Sequence, residues 1–139
     1  YNMSIGVALL ARLVGQAAAI FGGCDVEIVE AHHNRKADAP SGTALLLADA
    51  VQARRPDAAD VFGRAGHHPR QPSEIGIHSL RMGNVVGEHE VIFATDNQTI
   101  TLKHQAHDRA LFAEGALAAA DFLQGQPAGL YHMEDLLGP

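Results

Sequence analysis

Several features that define common protein classes are missing from this sequence. Cys24 is the only cysteine, so an internal disulfide is impossible, and no second thiol or histidine lies close to it in the chain. No apolar run is long enough to span a membrane, and no signal peptide is visible. We therefore expect a cytoplasmic protein with no membrane partner, in which Cys24 is reduced and inert.

Positive charge is scarce as well. Ten Lys and Arg residues against 16 Asp and Glu residues give a formal net charge of −6, and the basic residues form no stripe. Proteins that bind nucleic acid usually carry such a stripe, so we expect no nucleic-acid partner. The chain also contains neither a Gly-x-Gly-x-x-Gly fingerprint nor a Walker phosphate-binding loop. Tight binding of a nicotinamide dinucleotide by this chain alone is therefore not expected.

The length and the apolar content of the chain are sufficient for one folded domain. A chain of 139 residues, 47% of them apolar, can bury a hydrophobic core. Apolar periodicity predicts helices over residues 5–21, 42–54 and 110–124. β-Branched residues, alternation and turn pairs predict strands over residues 25–31, 74–82, 85–95 and 98–105. We predict an α+β fold: a mixed four-stranded sheet with helices packed on one face, the other face being available for packing against the sheet of another subunit.

Three further segments carry predictions about packing. Residues 55–73 contain three prolines and two glycines and are predicted to form a long loop that reaches a neighbouring subunit or covers a site. In the last helix, Gly115, Ala118 and Ala119 form a row of small residues, which predicts a close approach of that helix to the sheet. The apolar residues of the tail, 129–139, need a surface that covers them.

The stretch with the most reactive side chains joins the first predicted strand to the second predicted helix. Residues 30–44 read EAHHNRKADAPSGTA. Ser41, Gly42 and Thr43 begin the helix, where unpaired amides and the helix dipole attract an anion and a glycine lets it approach closely. Lys36 and the histidines add positive charge or proton donors. The stretch predicts a site for an anionic ligand with acid chemistry beside it; the alternative is a solvated turn with surface histidines and a surface lysine.

A metal site is the other chemistry that the histidines suggest. The pair His32 and His33 and the pair His67 and His68 would together supply zinc ligands. However, no cysteine or carboxylate lies at metal-ligand spacing, and adjacent histidines suit a single ion poorly. We therefore expect no bound metal, and a metal-dependent hydrolase is the least favoured of the functions considered.

The pattern E-A-H-H-x-x-K-x-D-x-P-S-G-T-A of residues 30–44 resembles the signature of dihydrodipicolinate reductase (4-hydroxy-tetrahydrodipicolinate reductase). The resemblance continues through residues 81–89, 112–116 and 129–135, so it covers nearly the whole chain but only part of the family's length. It implies the reduction of an unsaturated cyclic dicarboxylate, 4-hydroxy-tetrahydrodipicolinate to tetrahydrodipicolinate, by NADH or NADPH. This reaction belongs to lysine and diaminopimelate biosynthesis.

The resemblance also implies roles for five residues of the loop and the helix that follows it. His32 matches the catalytic histidine of the family, and Lys36 matches its proton-donating lysine. The substrate-binding positions of the family correspond to His33, Gly42 and Thr43. The last two would hold a substrate carboxylate, which agrees with the anion site predicted at the start of the helix.

Contacts to the cofactor are implied for the N-terminal residues Tyr1, Asn2 and Met3, which match a segment that crosses between two domains in the family. The acidic residues Glu30 and Asp38 are candidates to orient the lysine or a histidine, and the sequence does not tell which carboxylate serves which partner. These assignments rest on the resemblance and on the loop's composition.

The chain is thus expected to be the substrate-binding and oligomerisation domain of a homotetrameric reductase, with the dinucleotide-binding domain outside residues 1–139. A second interpretation is a binding or assembly module of the same family that has no activity without a dinucleotide domain. The two differ in whether the chain binds a cyclic dicarboxylate. A metal-dependent hydrolase would instead contain stoichiometric zinc.

Overall fold

A computed structural model describes residues 2–138 of the chain. In chain order, the elements are α1 (Ile5–Ile20), β1 (Asp25–His32), α2 (Gly42–Gln52), β2 (Ala59–Phe62), β3 (Glu74–Arg81), β4 (Gly87–Thr95), β5 (Gln98–Ala106), α3 (Ala110–Leu123) and a terminal 3-10 helix (Met133–Leu137). All the helices and strands that the sequence predicts are present, with bounds that differ by one or two residues. The α+β class is therefore confirmed.

The sheet has five strands in the order β2-β3-β1-β4-β5. β1 pairs with β3 in parallel and with β4 antiparallel, so the sheet is mixed, as predicted. The prediction of four strands was wrong by one, because residues 59–62 of the predicted loop form β2 and pair in parallel with β3. A four-residue edge strand is held by its backbone pairing, and its side chains need not show the alternation that reveals a longer strand.

The core lies between the sheet and helices α1 and α2, which pack on one sheet face. Alternate residues of β1, β3 and β4 point towards the helices, as the two-residue period of a strand requires. The largest side chains of this core are Leu10, Val14, Val26, Ile28, Leu47, Val51, Ile75, Ile77, Val91 and Phe93. On this face the strand ends carry polar residues instead, and these build the site described below.

Arg55, just after α2, fastens the end of α1 to the start of β1. Its guanidinium donates to the carbonyl oxygens of Ala18 (3.2 Å), Phe21 (2.7 Å) and Cys24 (2.9 Å). It also lies 3.0 Å from the thiol sulfur of Cys24, which is free and buried. The bonds to Ala18 and Phe21 satisfy carbonyl groups that the end of a helix leaves without intrahelical partners.

Helix α3 lies against the N-terminal segment. Gly115 is its buried residue, and a Cβ atom at this position would overlap the carbonyl group of Met3. A close approach at this glycine was predicted correctly, but the partner is the backbone of Met3 and not the sheet. The terminal 3-10 helix packs on α1, where Arg12 Nη2 donates to the carbonyl oxygen of Glu134 at 2.9 Å.

The sheet face opposite α1 and α2 is polar with apolar residues between. It carries Glu27, Val29, His78, Glu90, Ile92 and Lys103, which alternate with the core residues of the same strands. Whether this face packs against another subunit stays a prediction. Within residues 2–138, no helix has both the length and the apolar character that a membrane-spanning segment needs.

Candidate functional site

The candidate site lies where β1 ends and α2 begins, and the carboxylate of Glu30 is at its centre. Glu30 is 0% exposed. Its Oε1 accepts from Nη2 of Arg81 at 2.7 Å, and its Oε2 accepts from Nη1 of the same guanidinium at 2.8 Å. Oε2 also lies 2.5 Å from Nδ1 of His32, and Oε1 accepts from the backbone amide of Ser41 at 3.1 Å. One buried carboxylate therefore joins three parts of the chain.

Glu30 is ionised at neutral pH in spite of its burial. Burial alone would raise its pKa, but hydrogen bonds from Arg81, His32, Ser79 and the Ser41 amide outweigh that cost and lower the pKa to about 2. A charged carboxylate in this position accepts hydrogen bonds and donates none. The groups around it are consequently held with their hydrogen atoms directed towards Glu30.

His32 is the last residue of β1 and is partly buried. Because Glu30 can only accept, Nδ1 of His32 carries a hydrogen atom, and Nε2 is the ring nitrogen left for proton exchange. Nε2 lies beside Gly87 of β4, where a Cβ atom would come within 3.2 Å of it. The absence of a side chain at Gly87 thus gives the imidazole its space.

Lys36 lies in the loop between β1 and α2 and is held by a different carboxylate. Its Nζ donates to Oδ1 and Oδ2 of Asp38 at 2.7 and 2.8 Å, and its backbone amide donates to the carbonyl oxygen of His33 at 3.1 Å. The hydrogen bond from Lys36 lowers the pKa of Asp38. The two carboxylates that the sequence left unassigned are therefore divided: Glu30 contacts the histidine and Asp38 contacts the lysine.

The start of α2 provides backbone donors. A helix leaves its first four amides without intrahelical acceptors. Here the Ser41 amide donates to Glu30, and the Ala44 amide donates to Oγ of Ser41 at 3.2 Å. Within residues 2–138, the amides of Gly42 and Thr43 are left without an acceptor, and Gly42 is partly exposed. An anion would find two backbone donors and the positive end of the helix dipole there.

Sequence reasoning gave no role to His89 or Arg81, although both belong to the site. His89 of β4 is 3% exposed, and its ring packs edge-on against that of His32 with centroids 5.1 Å apart. Its Nε2 lies 3.2 Å from Oγ of Ser41. Burial, followed by the neighbouring charge of His32, lowers its pKa to about 4, so His89 is neutral at physiological pH. The alternation of β3 and β4 would have placed both residues on the helix face, beyond Ile77 and Val91.

His33 follows His32 and is partly buried. Desolvation and then the positive charge of Arg35 lower its pKa, with smaller contributions from His32, Lys36 and Arg109. Neutral His33 would therefore act as a hydrogen-bonding group. Its Nδ1 is buried and has no hydrogen-bond partner among residues 2–138.

The residues predicted to contact a cofactor lie partly elsewhere. Tyr1 is outside the described residues. Asn2 reaches the candidate anion site, where its Nδ2 donates to Oγ1 of Thr43 at 2.9 Å. Met3 is exposed and lines, with Asn2, a cavity of about 470 Å³ whose other walls are formed by Phe112, Tyr131, His132 and Met133.

The two histidine pairs considered for zinc lie at opposite ends of the sheet. His32 pairs with Arg81 at the end of β3, whereas His68 lies 3.5 Å from Glu74 at the start of that strand. In the described part of the chain, no group of three or more histidine, cysteine, aspartate or glutamate side chains is placed to hold a metal ion.

The fold and the site together define an α+β domain in which one buried glutamate joins a histidine to the start of a helix. A family model described as "Dihydrodipicolinate reductase, C-terminus" matches residues 6–137, and the chain belongs to this family. The resemblance seen in the sequence is therefore confirmed.

Relatives of known name agree with the family. The chain is 54% identical over 138 residues to the 4-hydroxy-tetrahydrodipicolinate reductase of Caldanaerobacter subterraneus subsp. tengcongensis, covering 98% of this chain and 55% of that protein. It is 51% identical over 142 residues to the protein of the same name from Akkermansia muciniphila, covering 99% and 58%. The chain thus spans somewhat more than half the length of the curated relatives it matches.

A solved structure shares the fold. A dipicolinate-bound dihydrodipicolinate reductase from Paenisporosarcina sp. TG-14 superimposes with a TM-score of 0.78 at 29% sequence identity, covering 96% of this chain and 52% of the other. The ligand in that structure is a cyclic dicarboxylate, the class of molecule that the sequence predicts for this site.

Proposed function

We propose that this chain is the substrate-binding half of a 4-hydroxy-tetrahydrodipicolinate reductase, an oxidoreductase of lysine and diaminopimelate biosynthesis. The observation that carries the proposal is the pair of hydrogen bonds that Glu30 accepts from the His32 imidazole and from the Ser41 amide. They fix a proton-donating ring next to the free amides of Gly42 and Thr43. The names of the relatives and the dipicolinate bound in the structural neighbour support the same substrate class.

In this proposal the start of α2 binds one substrate carboxylate. The amides of Gly42 and Thr43 and the hydroxyl of Thr43 donate to its oxygens, and the helix dipole adds favourable electrostatics. His33, kept neutral by its surroundings, contributes a further hydrogen bond. These contacts orient the ring so that its conjugated system faces His32 and Lys36.

The protein's chemical contribution is a proton. Once the 4-hydroxyl group and a neighbouring hydrogen atom have left the substrate as water, reduction of the resulting conjugated double bond needs a hydride on one carbon and a proton on the electron-rich atom next to it. A positioned acid accelerates such a proton transfer by about 10²–10⁴-fold. Glu30 orients the His32 ring through Nδ1, so that Nε2 is free to deliver this proton. Lys36, held by Asp38, is the alternative donor of the same proton.

We propose that residues 2–138 do not build a complete dinucleotide site by themselves. Residues 2–138 form a mixed sheet without the glycine-rich strand-to-helix turn that cradles a pyrophosphate. We therefore propose that NADH or NADPH, which supplies the hydride, is bound mainly by a separate N-terminal domain, and that residues 1–139 are one domain. Asn2 and Met3 are the residues of this chain that we propose to contact the cofactor. We also propose that the enzyme works in the cytoplasm.

The polar sheet face is the proposed oligomerisation surface. Its isolated Val29 and Ile92 among charged residues fit an interface between the sheets of a homotetramer. The alternative function, an assembly module without activity, uses the same face but does not require the anion site. Binding of a cyclic dicarboxylate separates the two.

Calorimetry with dipicolinate tests the proposal. The chain should bind dipicolinate, and Thr43→Val should weaken binding about fivefold because one hydrogen bond to a charged group is lost. Thr95→Val, at the exposed end of β4 away from His32, is the matched control and should leave affinity unchanged. Absence of binding at millimolar dipicolinate would contradict substrate binding and favour the assembly module.

Mixing with the dinucleotide-binding domain of a relative tests the catalytic role. Turnover should appear on mixing, and His32→Gln should lower kcat by about 10²-fold or more with little change in KM. A variant that changes KM but keeps kcat would show that His32 binds substrate without donating the proton.

A further inference from the structure

Asn2 contacts the candidate site through its side chain, and the direction of this contact is fixed. Its Oδ1 accepts from the backbone amide of Ser4 at 2.8 Å. A backbone amide can only donate, so the carbonyl end of the Asn2 side chain must face Ser4 and the NH₂ end must face Thr43. The 2.9 Å contact between Asn2 Nδ2 and Thr43 Oγ1 is therefore a hydrogen bond that Asn2 donates.

This bond constrains the hydroxyl group of Thr43. Oγ1 accepts from Asn2, so the hydrogen atom of the hydroxyl group must point elsewhere. Threonine in the middle of a helix often donates to the carbonyl oxygen one turn earlier, but Thr43 lies in the first turn of α2, where no such helical carbonyl precedes it. The residue is only 6% exposed, which leaves the hydroxyl few directions.

The hydroxyl group of Ser41 differs from that of Thr43 in its hydrogen-bond partners. Its Oγ accepts from the Ala44 amide and lies 3.2 Å from Nε2 of His89, so this hydroxyl has partners on both sides within the protein. Thr43 has a donor partner and an unused hydrogen atom. It stands next to the two amides that an anion would bind.

The N-terminal segment that carries Asn2 is itself held by contacts with two helices. Ser4 is buried and its Oγ caps α1 by accepting from the Val7 amide at 3.2 Å. The carbonyl of Met3 is pressed against Gly115 of α3, where no side chain would fit. Asn2 therefore reaches Thr43 from a backbone whose position is set by both α1 and α3.

We propose that Asn2 is a positioning residue. By donating to Oγ1 of Thr43, it directs the hydrogen atom of the Thr43 hydroxyl group towards the carboxylate of a cyclic dicarboxylate bound at the start of α2. The inference rests on the proposed function for the substrate class. It assigns Asn2 a role at the substrate, distinct from the cofactor contact that the resemblance implies.

A double-mutant cycle measures this coupling. Dipicolinate affinity is determined by calorimetry for the unmodified chain, Asn2→Ala, Asn2→Asp, Thr43→Val and the two double variants. Asn2→Ala should weaken binding about three- to fivefold. Asn2→Asp should weaken it more, because a carboxylate accepts the Thr43 hydrogen and withdraws it from the ligand. In the Thr43→Val background, Asn2→Ala should have no further effect.

The Asn2→Asp variant also adds a negative charge, and the same cycle separates that contribution. Repulsion of the ligand by the new charge persists in the Thr43→Val background, whereas the effect of hydroxyl direction disappears there. Asn97→Ala, in the exposed turn between β4 and β5, is the matched control and should leave affinity unchanged.

Two results would overturn the inference, and they are distinguishable. If the unmodified chain binds dipicolinate and the effects of Asn2→Ala and Thr43→Val are additive, Asn2 does not act through Thr43 while the proposed function stands. If the unmodified chain does not bind dipicolinate, the proposed function fails and the inference fails with it.

Discussion

Strand β1 carries two glutamates, Glu27 and Glu30, which are three residues apart and therefore lie on opposite faces of the sheet. Each is paired with a histidine and with arginine. Oε2 of Glu27 lies 2.7 Å from Nε2 of His78 on β3, and Glu27 Oε1 accepts from Arg70. The Glu27 side chain remains 29% exposed, whereas that of Glu30 is fully buried.

The two clusters differ in what they join. The partners of Glu27 include Arg64 and Arg70, so this cluster holds residues 63–73 against the sheet. The partners of Glu30 come from the end of β1, the end of β3 and the start of α2. The same residue types thus hold a surface loop at one end of the strand and set the geometry of the candidate site at the other.

Burial explains why the loss of one partner should destabilise the Glu30 cluster more than the Glu27 cluster. A charged group removed from water must recover its hydration through hydrogen bonds, and the arginines beside Glu30 and Glu27, Arg81 and Arg70, are equally exposed at 19%. The difference therefore lies in the carboxylates, of which only that of Glu30 is fully buried. At the exposed end, water replaces a lost partner. We therefore expect substitutions in the Glu30 cluster to lower the free energy of unfolding more than substitutions in the Glu27 cluster.

The largest difference is expected for the glutamates themselves. Glu30→Gln should lower the free energy of unfolding by about 3–5 kcal/mol, because Arg81 loses its buried counter-ion. Glu27→Gln, the matched variant, should cost about 1 kcal/mol or less, since its cluster is partly solvated. Urea denaturation of both variants measures this. Equal losses would show that burial does not distinguish the clusters.

A somewhat smaller effect is expected on the acid stability of the chain. The pKa of Glu30 is about 2 in the folded protein against an ordinary value of 4.5. Between these pH values the unfolded chain binds more protons than the folded one, so the stability contributed by Glu30 is complete above pH 4.5 and is lost as pH falls towards 2.

Over that window the loss amounts to roughly 3 kcal/mol for the unmodified chain, and Glu30→Gln should lack it. Denaturation curves collected from pH 6 to pH 3 for the unmodified chain, Glu30→Gln and Glu27→Gln measure the difference. The gap between the unmodified chain and Glu30→Gln should narrow as pH falls. A constant gap would contradict the lowered pKa of Glu30.

The smallest effect is expected at two glycines, one beside each cluster. Gly87→Ala places a Cβ 3.2 Å from His32 Nε2 and should weaken dipicolinate binding or proton delivery by about 1 kcal/mol, or about fivefold. Gly76→Ala displaces the Glu27 carboxylate and should increase amide hydrogen exchange in residues 63–73. Each variant should leave the other readout unchanged. A change of both readouts in either variant would mean that the clusters are coupled.

Much of this arrangement could be predicted from local sequence. The helices and the longer strands follow from periodicity, and the loop from His32 to Thr43 is recognisable from its composition. The assignment of Glu30 to His32 was also within reach, because residues two apart on a strand share a face. The catalytic and binding roles of these residues stay predictions.

The rest depended on contacts between segments far apart in the chain. Arg81 and His89 meet Glu30 and His32 only because β3 and β4 flank β1, and a strand order cannot be read from local patterns. The packing of Gly115 on Met3 joins the two ends of the domain in the same way. β2 escaped prediction because its pairing with β3, and not its side chains, makes it a strand.

β1 is the middle strand, with β3 on one side and β4 on the other. The candidate site is therefore built from residues of three adjacent strands and lies away from the β2 edge. An engineer who wishes to graft a new strand, a label or a fusion partner onto this domain should therefore choose β2. β2 is an edge strand, so changes there affect the border of the sheet before they affect its centre. The spacing between His32 and the start of α2 would be among the last features to be disturbed.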